Sequence, residues 1–358
     1  MTPSTGQPRL AVAIVGAGYW GPNLIRNFSA SLDCELLWVC DLSRKRAERA
    51  VGRYSTVQVT DSVDAVLNDP RVAAVAVATP TATHFELAAA CLEAGKHVLI
   101  EKPLASSVSE GQKLVELAEQ RGLVLMCDHT YCYTPAVRRI RQLVEDGTLG
   151  QIQYVDSVRI NLGLVQSDID VFWDLAPHDL SILDFILPED CAPTAVAAHG
   201  ADPIGAGRAC VGYLTMPLTG DAIAHCHINW LSPAKIRTTI IGGSKRMLVW
   251  DDVNPAQRLS LYDKGVNLTS DLLQEARRST MISYRVGDMT APTLPEREAL
   301  EAVVSEFVAS IRERRAPLTD GHAGLRVLKI LEAASRSLSK GGAVVALEST
   351  RELIALRA

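Results

Sequence analysis

Short apolar runs alternate with amphipathic segments over the first third of the chain. The runs at residues 10–15, 35–40, 72–78, 98–100 and 124–127 predict strands, and the run at 72–78, almost pure Val and Ala, is typical of a strand buried on both faces. Apolar positions at helical spacing predict helices after Gly21 and over residues 43–54, 62–67, 83–94 and 109–121. This alternation predicts a doubly wound parallel sheet.

The pattern changes after about residue 130, where period-2 alternation begins. Strands are predicted at residues 152–161, 194–199, 210–215, 222–230, 235–241 and 246–250, and helices at 135–146, 295–314 and 322–339. Several short strands in succession indicate a large mixed, mostly antiparallel sheet that is open on one face. We therefore divide this α/β chain into a first domain over residues 8–128 and a second over 129–358.

Composition and charge narrow the classes of function. A chain of 358 residues is the right length for two domains. Its net charge of −5, without a basic run, argues against nucleic acid as a partner. No apolar stretch reaches the ~18 residues of a membrane helix, and the polar N-terminus does not resemble a signal peptide. The eight cysteines form no C-x-x-C pair, which predicts buried reduced thiols in a cytoplasmic protein without a zinc site.

A glycine-rich turn joins the first strand to the first helix. Gly16, Gly18 and Gly21 form the pattern G-x-G-x-x-G, in which the glycines allow a tight turn, approach of a pyrophosphate and close packing of helix on strand. A chance glycine cluster is the competing interpretation. Against it, Asp41 ends the next strand 20 residues after Gly21, where a carboxylate binds the adenosine ribose. We therefore predict a Rossmann domain that binds a dinucleotide.

The residues around this turn favour NAD as the cofactor. The carboxylate of Asp41 repels a 2′-phosphate, although Ser43 and Arg44 could bind such a phosphate and keep NADP possible. The candidate cofactor contacts here are Gly16, Gly18, Tyr19, Trp20, Gly21, Asp41, Ser43 and Arg44.

Two later strand ends carry further polar residues. Thr79-Pro80-Thr81 precedes a helix that opens with His84, and Glu101-Lys102-Pro103 follows the strand at 98–100. Ligands of open α/β sheets bind at the carboxyl ends of strands, so all of these except Pro103 are predicted cofactor contacts, and Lys102 could also reach the substrate. A plain strand–helix turn and a solvated lysine are the competing interpretations. X–Pro bonds adopt the cis form at low cost, and we predict a cis bond that directs Lys102 inward.

Asp174 and His178 form a third cluster. Residues four apart share one face of a helix, where a carboxylate beside an imidazole makes an acid/base pair. Pro177 would then have to sit in the first turn of that helix. The same spacing could hold two metal ligands, although nothing completes such a site, or it could be an N-cap aspartate with a structural histidine.

These segments resemble those of the Gfo/Idh/MocA family of nicotinamide-dependent oxidoreductases. The matching segments are GAGYWG at 16–21, TPTATH at 79–84, EKP at 101–103, DLAPHD at 174–179 and the closing stretch 320–342. The resemblance implies a Rossmann domain followed by an α/β domain with a large open sheet. It also implies hydride exchange between a nicotinamide and a sugar or cyclitol hydroxyl carbon, in a homodimer or homotetramer formed through that sheet.

The resemblance further implies roles for individual residues. Lys102 matches the active-site lysine of the family, and Asp174 and His178 match its acid and its histidine. In similar enzymes the lysine or the histidine moves the hydroxyl proton, and Asp174 would orient His178. A nearby oxidised nicotinamide, being positively charged, favours the neutral amine of Lys102. Trp173 is a further candidate cofactor contact.

Phe172-Trp173 stands where many relatives carry glycines, and this version resembles a subgroup that acts on nucleotide-linked sugars. Its nearest known activity is oxidation of the 3-hydroxyl of UDP-N-acetylglucosaminuronic acid. Besides Lys102, Asp174 and His178, the candidate contacts to such a sugar, its carboxylate or its diphosphate are Arg159, Asn161, Lys235 and Arg237. Solvated strand charges are the competing interpretation of these four.

The main hypothesis is therefore an NAD(P)-dependent sugar dehydrogenase, acting at C3 of a nucleotide-linked sugar. An NADPH-dependent 3-ketosugar reductase and a cyclitol dehydrogenase of the inositol type are close alternatives. A non-enzymatic nicotinamide-binding regulator is the alternative from a different class.

Overall fold

The chain folds into two compact units. The computed structural model describes residues 8–52, 55–270 and 280–347. The first unit comprises the described residues up to Thr134 together with Glu296–Glu332, and the second comprises those of Pro135–Pro295 and of the chain from Ala333 onward. This division corrects the predicted domains, because residues 296–332 return to the first unit instead of belonging to the second.

A parallel doubly wound sheet forms the centre of the first unit, as predicted, and it has six strands, of which the one at residues 58–60 was missed. Its order is β3-β2-β1-β4-β5-β6. The direction of strand addition reverses between β1 and β4, which is where doubly wound sheets bind their ligands. The strands are β1 (Leu10–Val15), β2 (Cys34–Cys40), β3 (Gln58–Thr60), β4 (Ala74–Val77), β5 (His97–Glu101) and β6 (Leu125–Asp128).

The predicted helices begin and end close to the expected positions, and α7 is an additional helix for which no bounds were predicted. Ser107 caps α5 by accepting the N–H of Glu110, and Gly122 ends it at φ 63°, which glycine adopts without strain. The helices are α1 (Gly21–Ala30), α2 (Arg44–Val51), α3 (Val63–Leu67), α4 (His84–Glu93), α5 (Val108–Arg121), α6 (Pro135–Glu145), α7 (Val171–Ile186), α8 (Ala299–Glu313) and α9 (Gly321–Ser339).

The last two helices complete the first unit. Glu298, the N-cap of α8, accepts two hydrogen bonds from Arg26 of α1, at 2.5 and 2.8 Å. The start of α9 packs on α5, where a Cβ on Gly111 would lie 2.7 Å from a methyl of Leu328. The missing side chain of Gly111 thus makes room for Leu328, and residues 296–332 are part of the first core.

A nine-stranded sheet forms the second unit. Its order is β14-β13-β12-β11-β7-β10-β9-β8-β15. The β10–β7 pair is parallel and the other pairs are antiparallel, which confirms the predicted mixed, mostly antiparallel sheet. The strands are β7 (Ile152–Leu162), β8 (Ala195–Ala201), β9 (Val211–Leu218), β10 (Ala222–Asn229), β11 (Leu231–Gly243), β12 (Met247–Asp251), β13 (Leu259–Ser270), β14 (Thr280–Thr290) and β15 (Val345–Ala346).

The two faces of this sheet differ. Helix α7 packs on one face so closely that a Cβ on Gly212 would lie 2.3 Å from the ring of Phe172. On the other face Tyr213 is 43% exposed and stacks on His227 with 4.6 Å between ring centroids. The sheet is thus covered on one side by its own helix and open on the other.

All eight cysteine thiols are buried, as predicted. Among the helices that the structure describes, none has the length and apolar character needed to cross a membrane.

Candidate active site

The glycine turn has the geometry that a dinucleotide requires. Gly16 adopts φ 101°, and a Cβ there would lie 2.4 Å from the carbonyl oxygen of Ala78. A Cβ on Gly21 would lie 2.2 Å from the carbonyl oxygen of Gly16, so the first and third glycines are sterically required. Nothing lies within 4 Å of where a Cβ of Gly18 would be, which leaves its backbone open to a pyrophosphate.

Asp41 braces this turn. Its Oδ2 accepts the backbone N–H of Ala17 at 2.8 Å, and its Oδ1 accepts that of Ser43 at 2.7 Å. The residue is only 8% exposed. A carboxylate has about four acceptor positions, so a ribose hydroxyl can still donate to it. Asp41 therefore fits the predicted ribose contact and also fixes the loop that receives the pyrophosphate.

Helix α2 contributes basic residues that sequence reasoning missed. The Nε of Arg44, a predicted contact, bonds Oε1 of Glu48 at 3.1 Å. Arg46 instead lies 3.7 Å from Oδ2 of Asp41 and, with Arg49, lines a cavity of about 700 Å³ in front of the turn. The other residues lining it are Ala17, Gly18, Tyr19, Pro22 and Ala50. Arg46 and Arg49 are three apart, and that helical spacing was the available signal.

His84 holds two strand ends together. Its Nδ1 lies 2.8 Å from the carbonyl oxygen of Pro103, and its Nε2 lies 2.9 Å from that of Thr79. Burial lowers the pKa of this histidine, while its contacts to the two carbonyl oxygens oppose that shift. The ring is 1% exposed, so His84 acts by positioning and the prediction that it contacts the cofactor is corrected. The Lys102–Pro103 bond is cis, as predicted.

Two carboxyls lie side by side next to Lys102. Glu101 ends β5 and is the register partner of Asp128, which ends β6. Oδ2 of Asp128 accepts the indole N–H of Trp20, from the glycine turn, at 3.3 Å, and Oδ1 accepts the hydroxyl of Thr130 at 2.8 Å. Glu101 was predicted as a cofactor contact, but its carboxyl meets Asp128 instead. Sequence reasoning missed Asp128. The feature that could have indicated it is a second carboxylate at the end of an apolar strand.

Helix α7 presents Asp174 and His178 one turn apart. Asp170 caps this helix by accepting the N–H groups of Phe172 and Trp173, so the predicted alternative of an N-cap at Asp174 is wrong. Pro177 lies inside the helix and not in its first turn, which corrects that expectation. Oδ2 of Asp174 accepts the indole N–H of Trp230 at 2.9 Å, which fixes the orientation of this carboxylate.

Arg159 is a structural residue. It is 3% exposed, and its Nε and Nη2 donate to Asp179 at 2.8 and 3.1 Å. Asp179 also accepts the hydroxyl of Ser157 at 2.8 Å. This buried ion pair joins β7 to α7 immediately after His178. The prediction that Arg159 contacts the substrate is thereby corrected.

The remaining predicted contacts of the second unit differ in exposure. Lys235 is exposed where the β11–β7 register shifts, and Asn161 is half-buried on β7. Arg237 lies 3.6 Å from Asp252, which partly neutralises its charge. The indole N–H of Trp173 donates to Ser335 at 3.0 Å.

A further cavity lies away from the strand ends that carry the candidate site residues. A cavity of about 650 Å³ lies near His97, at the amino end of β5, which is the opposite end from Lys102. Within residues 8–52, 55–270 and 280–347, no group of three or more His, Cys, Asp or Glu could hold a metal ion.

Known proteins match this chain over nearly its whole length. It is 28% identical over 330 residues to UDP-N-acetylglucosamine 3-dehydrogenase of Acidithiobacillus ferrooxidans, covering 89% of this chain and 94% of that enzyme. The solved structure of that enzyme superposes with a TM-score of 0.78, over 94% of this chain and 99% of the other, at 26% identity. GenD2 from gentamicin A biosynthesis, solved in complex with NAD, gives a TM-score of 0.78 at 25% identity, over 96% and 97% of the two chains.

The inositol 2-dehydrogenase of Rhizobium meliloti is 25% identical over 342 residues, covering 91% of this chain and 96% of that enzyme. Residues 10–129 match the model of an oxidoreductase family with an NAD-binding Rossmann fold. Residues 137–249 match the model of the GFO/IDH/MocA C-terminal domain. The chain therefore belongs to the Gfo/Idh/MocA family of NAD-binding oxidoreductases.

Proposed function

We propose that this protein is an NAD-dependent dehydrogenase that oxidises the C3 hydroxyl of a nucleotide-linked sugar. The observation that carries the proposal is the position of Lys102, at the carboxyl end of β5, on the sheet edge that also carries the glycine turn. The likeness to UDP-N-acetylglucosamine 3-dehydrogenase supports the choice of substrate class.

The reaction needs a group that takes the hydroxyl proton as the carbon loses hydride. The nicotinamide, when bound, supplies the hydride acceptor. Gly18 and the uncapped start of α1 would bind the pyrophosphate of the dinucleotide, and Asp41 would bind its adenosine ribose. Lys102 in its neutral form accepts the hydroxyl proton, a role worth about 10²–10⁴ in rate for a positioned base. We assign His178 the second proton-handling role, with Asp174 orienting it.

A second candidate is the same chemistry with NADP or on a cyclitol. Arg46 and Arg49 line the cavity in front of the glycine turn and could bind a 2′-phosphate. The inositol 2-dehydrogenase of Rhizobium meliloti supports a cyclitol as the substrate.

The experiment that tests the proposal measures reduced cofactor by its absorbance. Purified protein is mixed with NAD or NADP and with UDP-N-acetylglucosamine, its uronic acid or myo-inositol. We expect turnover with NAD and a nucleotide sugar. Turnover with myo-inositol alone would favour the cyclitol alternative. Cofactor binding without turnover of any of the three substrates would contradict the proposal and favour a regulator.

We also propose that the protein forms a homodimer or homotetramer through the open face of its nine-stranded sheet. Apolar residues on the described part of that sheet support this, since Tyr213 and Ile223 are 43% and 48% exposed. Light scattering after size-exclusion chromatography measures the mass directly, and a monomer at micromolar concentration would contradict the proposal.

A further inference from the structure

We propose that Glu101 and Asp128 share one proton and present a single negative charge to Lys102, which makes Asp128 a positioning residue of the reaction. The kinetic part of this inference rests on the proposed function, because it assumes that Lys102 is the base. The proton sharing itself does not depend on the substrate or on turnover.

The register of the sheet brings the two carboxyls together. Glu101 and Asp128 are register partners at the ends of the adjacent parallel strands β5 and β6, so their side chains leave the sheet side by side. Asp128 is 0% exposed. Oε2 of Glu101 is buried and has no hydrogen-bond partner among the described residues. Two ionised carboxylates in this position would repel each other strongly, so one of them must be protonated.

The surrounding donors decide which of the two holds the proton. Asp128 accepts from Thr130 and Trp20, and these bonds stabilise its ionised form. Burial, followed by the negative charge of Asp128, raises the pKa of Glu101 well above its usual value. Burial also raises the pKa of Asp128, but its hydrogen bonds oppose that effect. Glu101 is therefore the acid that donates, and Asp128 is the carboxylate that accepts.

The other titratable neighbours do not supply this charge. Burial raises the pKa of the Cys127 thiol well above its usual value and lowers the pKa of His129 to about 3. Burial also lowers the pKa of His84, so burial disfavours the charged form of all three groups. Arg326 acts electrostatically on His129 and stays positive at every accessible pH. None of these four groups supplies a negative charge to Lys102.

A fixed negative charge beside Lys102 has a defined kinetic consequence. Lys102 acts electrostatically on both carboxyls, so a negative charge on the pair attracts its ammonium group. The neutral amine is the form that accepts the hydroxyl proton. We therefore expect the charge of the pair to affect the pH dependence of oxidation. The bond from Asp128 to Trp20 links this charge to the turn that holds the cofactor.

The pH profile of kcat/KM separates the two carboxyls. Asp128→Asn removes the negative charge beside Lys102. We therefore expect the rising limb of the kcat/KM profile to move about one pH unit lower, which is within the range of effects of a single neighbouring charge. In Glu101→Gln the amide N–H replaces the acid as donor to Asp128, so the limb should stay at the wild-type pH whatever happens to kcat. The double variant should follow Asp128→Asn, and Asp64→Asn, an exposed carboxylate of α3, is the matched control.

Infrared spectroscopy tests the shared proton without any turnover. At neutral pH the wild-type protein should show a protonated-carboxyl band that Glu101→Gln lacks and Asp64→Asn keeps. Absence of that difference, with all variants folded by circular dichroism, would overturn the inference even in an active enzyme. If the band is present but no substrate turns over, the proposed function fails and the shared proton stands. Equal displacement of the limb in both single variants would also overturn the assignment of the proton to Glu101.

Discussion

Oδ2 of Asp41, at the end of β2, accepts the backbone N–H of Ala17 in the glycine turn at 2.8 Å. The residue predicted to hold the ribose of the cofactor thus first holds the loop that receives its pyrophosphate. Both carboxylate oxygens of Asp41 accept backbone N–H groups. An asparagine side chain has only one oxygen, so it cannot replace both hydrogen bonds. The shape of the turn therefore depends on the carboxylate that we also propose as the ribose contact.

Asp41→Asn should change both cofactor choice and stability. Loss of the negative charge removes repulsion of a 2′-phosphate, so the ratio of kcat/KM for NAD to that for NADP should fall about tenfold or more. One backbone N–H would face an amide N–H, which should lower the free energy of unfolding by about 1–3 kcal/mol. Kinetics with both cofactors and urea denaturation measure the two effects. An unchanged cofactor ratio would show that Asp41 acts only on the turn.

Lys102→Ala should abolish most turnover while cofactor binding remains. A positioned general base contributes about 10²–10⁴ in rate, so kcat should fall by that factor. Stopped assays of cofactor reduction give kcat, and fluorescence titration gives the Kd for NAD. Lys113→Ala removes an exposed lysine from α5 of the same unit and should leave both values unchanged. Turnover of Lys102→Ala at the wild-type rate would remove the proposed base.

Arg159→Ala should act on stability and not specifically on substrate affinity. It leaves Asp179 buried and without its cationic partner, a change that costs about 3–5 kcal/mol in comparable buried pairs. Replacing both residues by leucine should recover most of that loss, because the uncompensated charge is gone. Urea denaturation measures the free energy of unfolding. A stable Arg159→Ala protein with a raised KM would restore the role of Arg159 as a substrate contact.

Acid should weaken the attachment of α8 to α1. Hydrogen bonding to Arg26 lowers the pKa of Glu298 from 4.5 to about 2 in the folded protein. A carboxyl with a depressed pKa stabilises the fold above its unfolded pKa, and this contribution is lost as pH falls from about 4.5 towards 2. Glu298→Gln should therefore cost about 1 kcal/mol at pH 7, a value reduced for solvent exposure, and much less near pH 3. Equal cost at both pH values in urea denaturation would contradict this.

The sequence predicted the buried strands well because burial leaves a strong pattern. The ends of β1 are as predicted, and β4 lies inside a Val/Ala run whose four strand residues are all buried. Strands β13 and β14 were missed. In β14 the described side chains are largely exposed, as at Tyr284 (75%) and Val286 (80%), and in β13 buried side chains are confined to residues 259–261, so neither strand carries an extended apolar alternation.

Site residues that a local sequence pattern marks were predicted. Those that depend on contacts between distant segments of the chain were not. The glycines and the cis bond at Pro103 follow from local pattern. Asp128 becomes a neighbour of Glu101 only through the register of β5 and β6, 27 residues apart in the chain. Arg159 looked like a free cation because its partner Asp179 lies on a helix, and no spacing along the sequence relates the two.

The discontinuous composition of the first unit has a consequence for biosynthesis. Residues 296–332 supply Glu298 to Arg26 and Leu328 to the surface of α5, and they emerge from the ribosome after strands β7 to β14. The first unit must therefore wait, with its α1 and α5 surfaces uncovered, while eight strands of the second sheet are synthesised. A fragment cut at residue 129 would lack both contacts, and its α1 and α5 surfaces would stay uncovered.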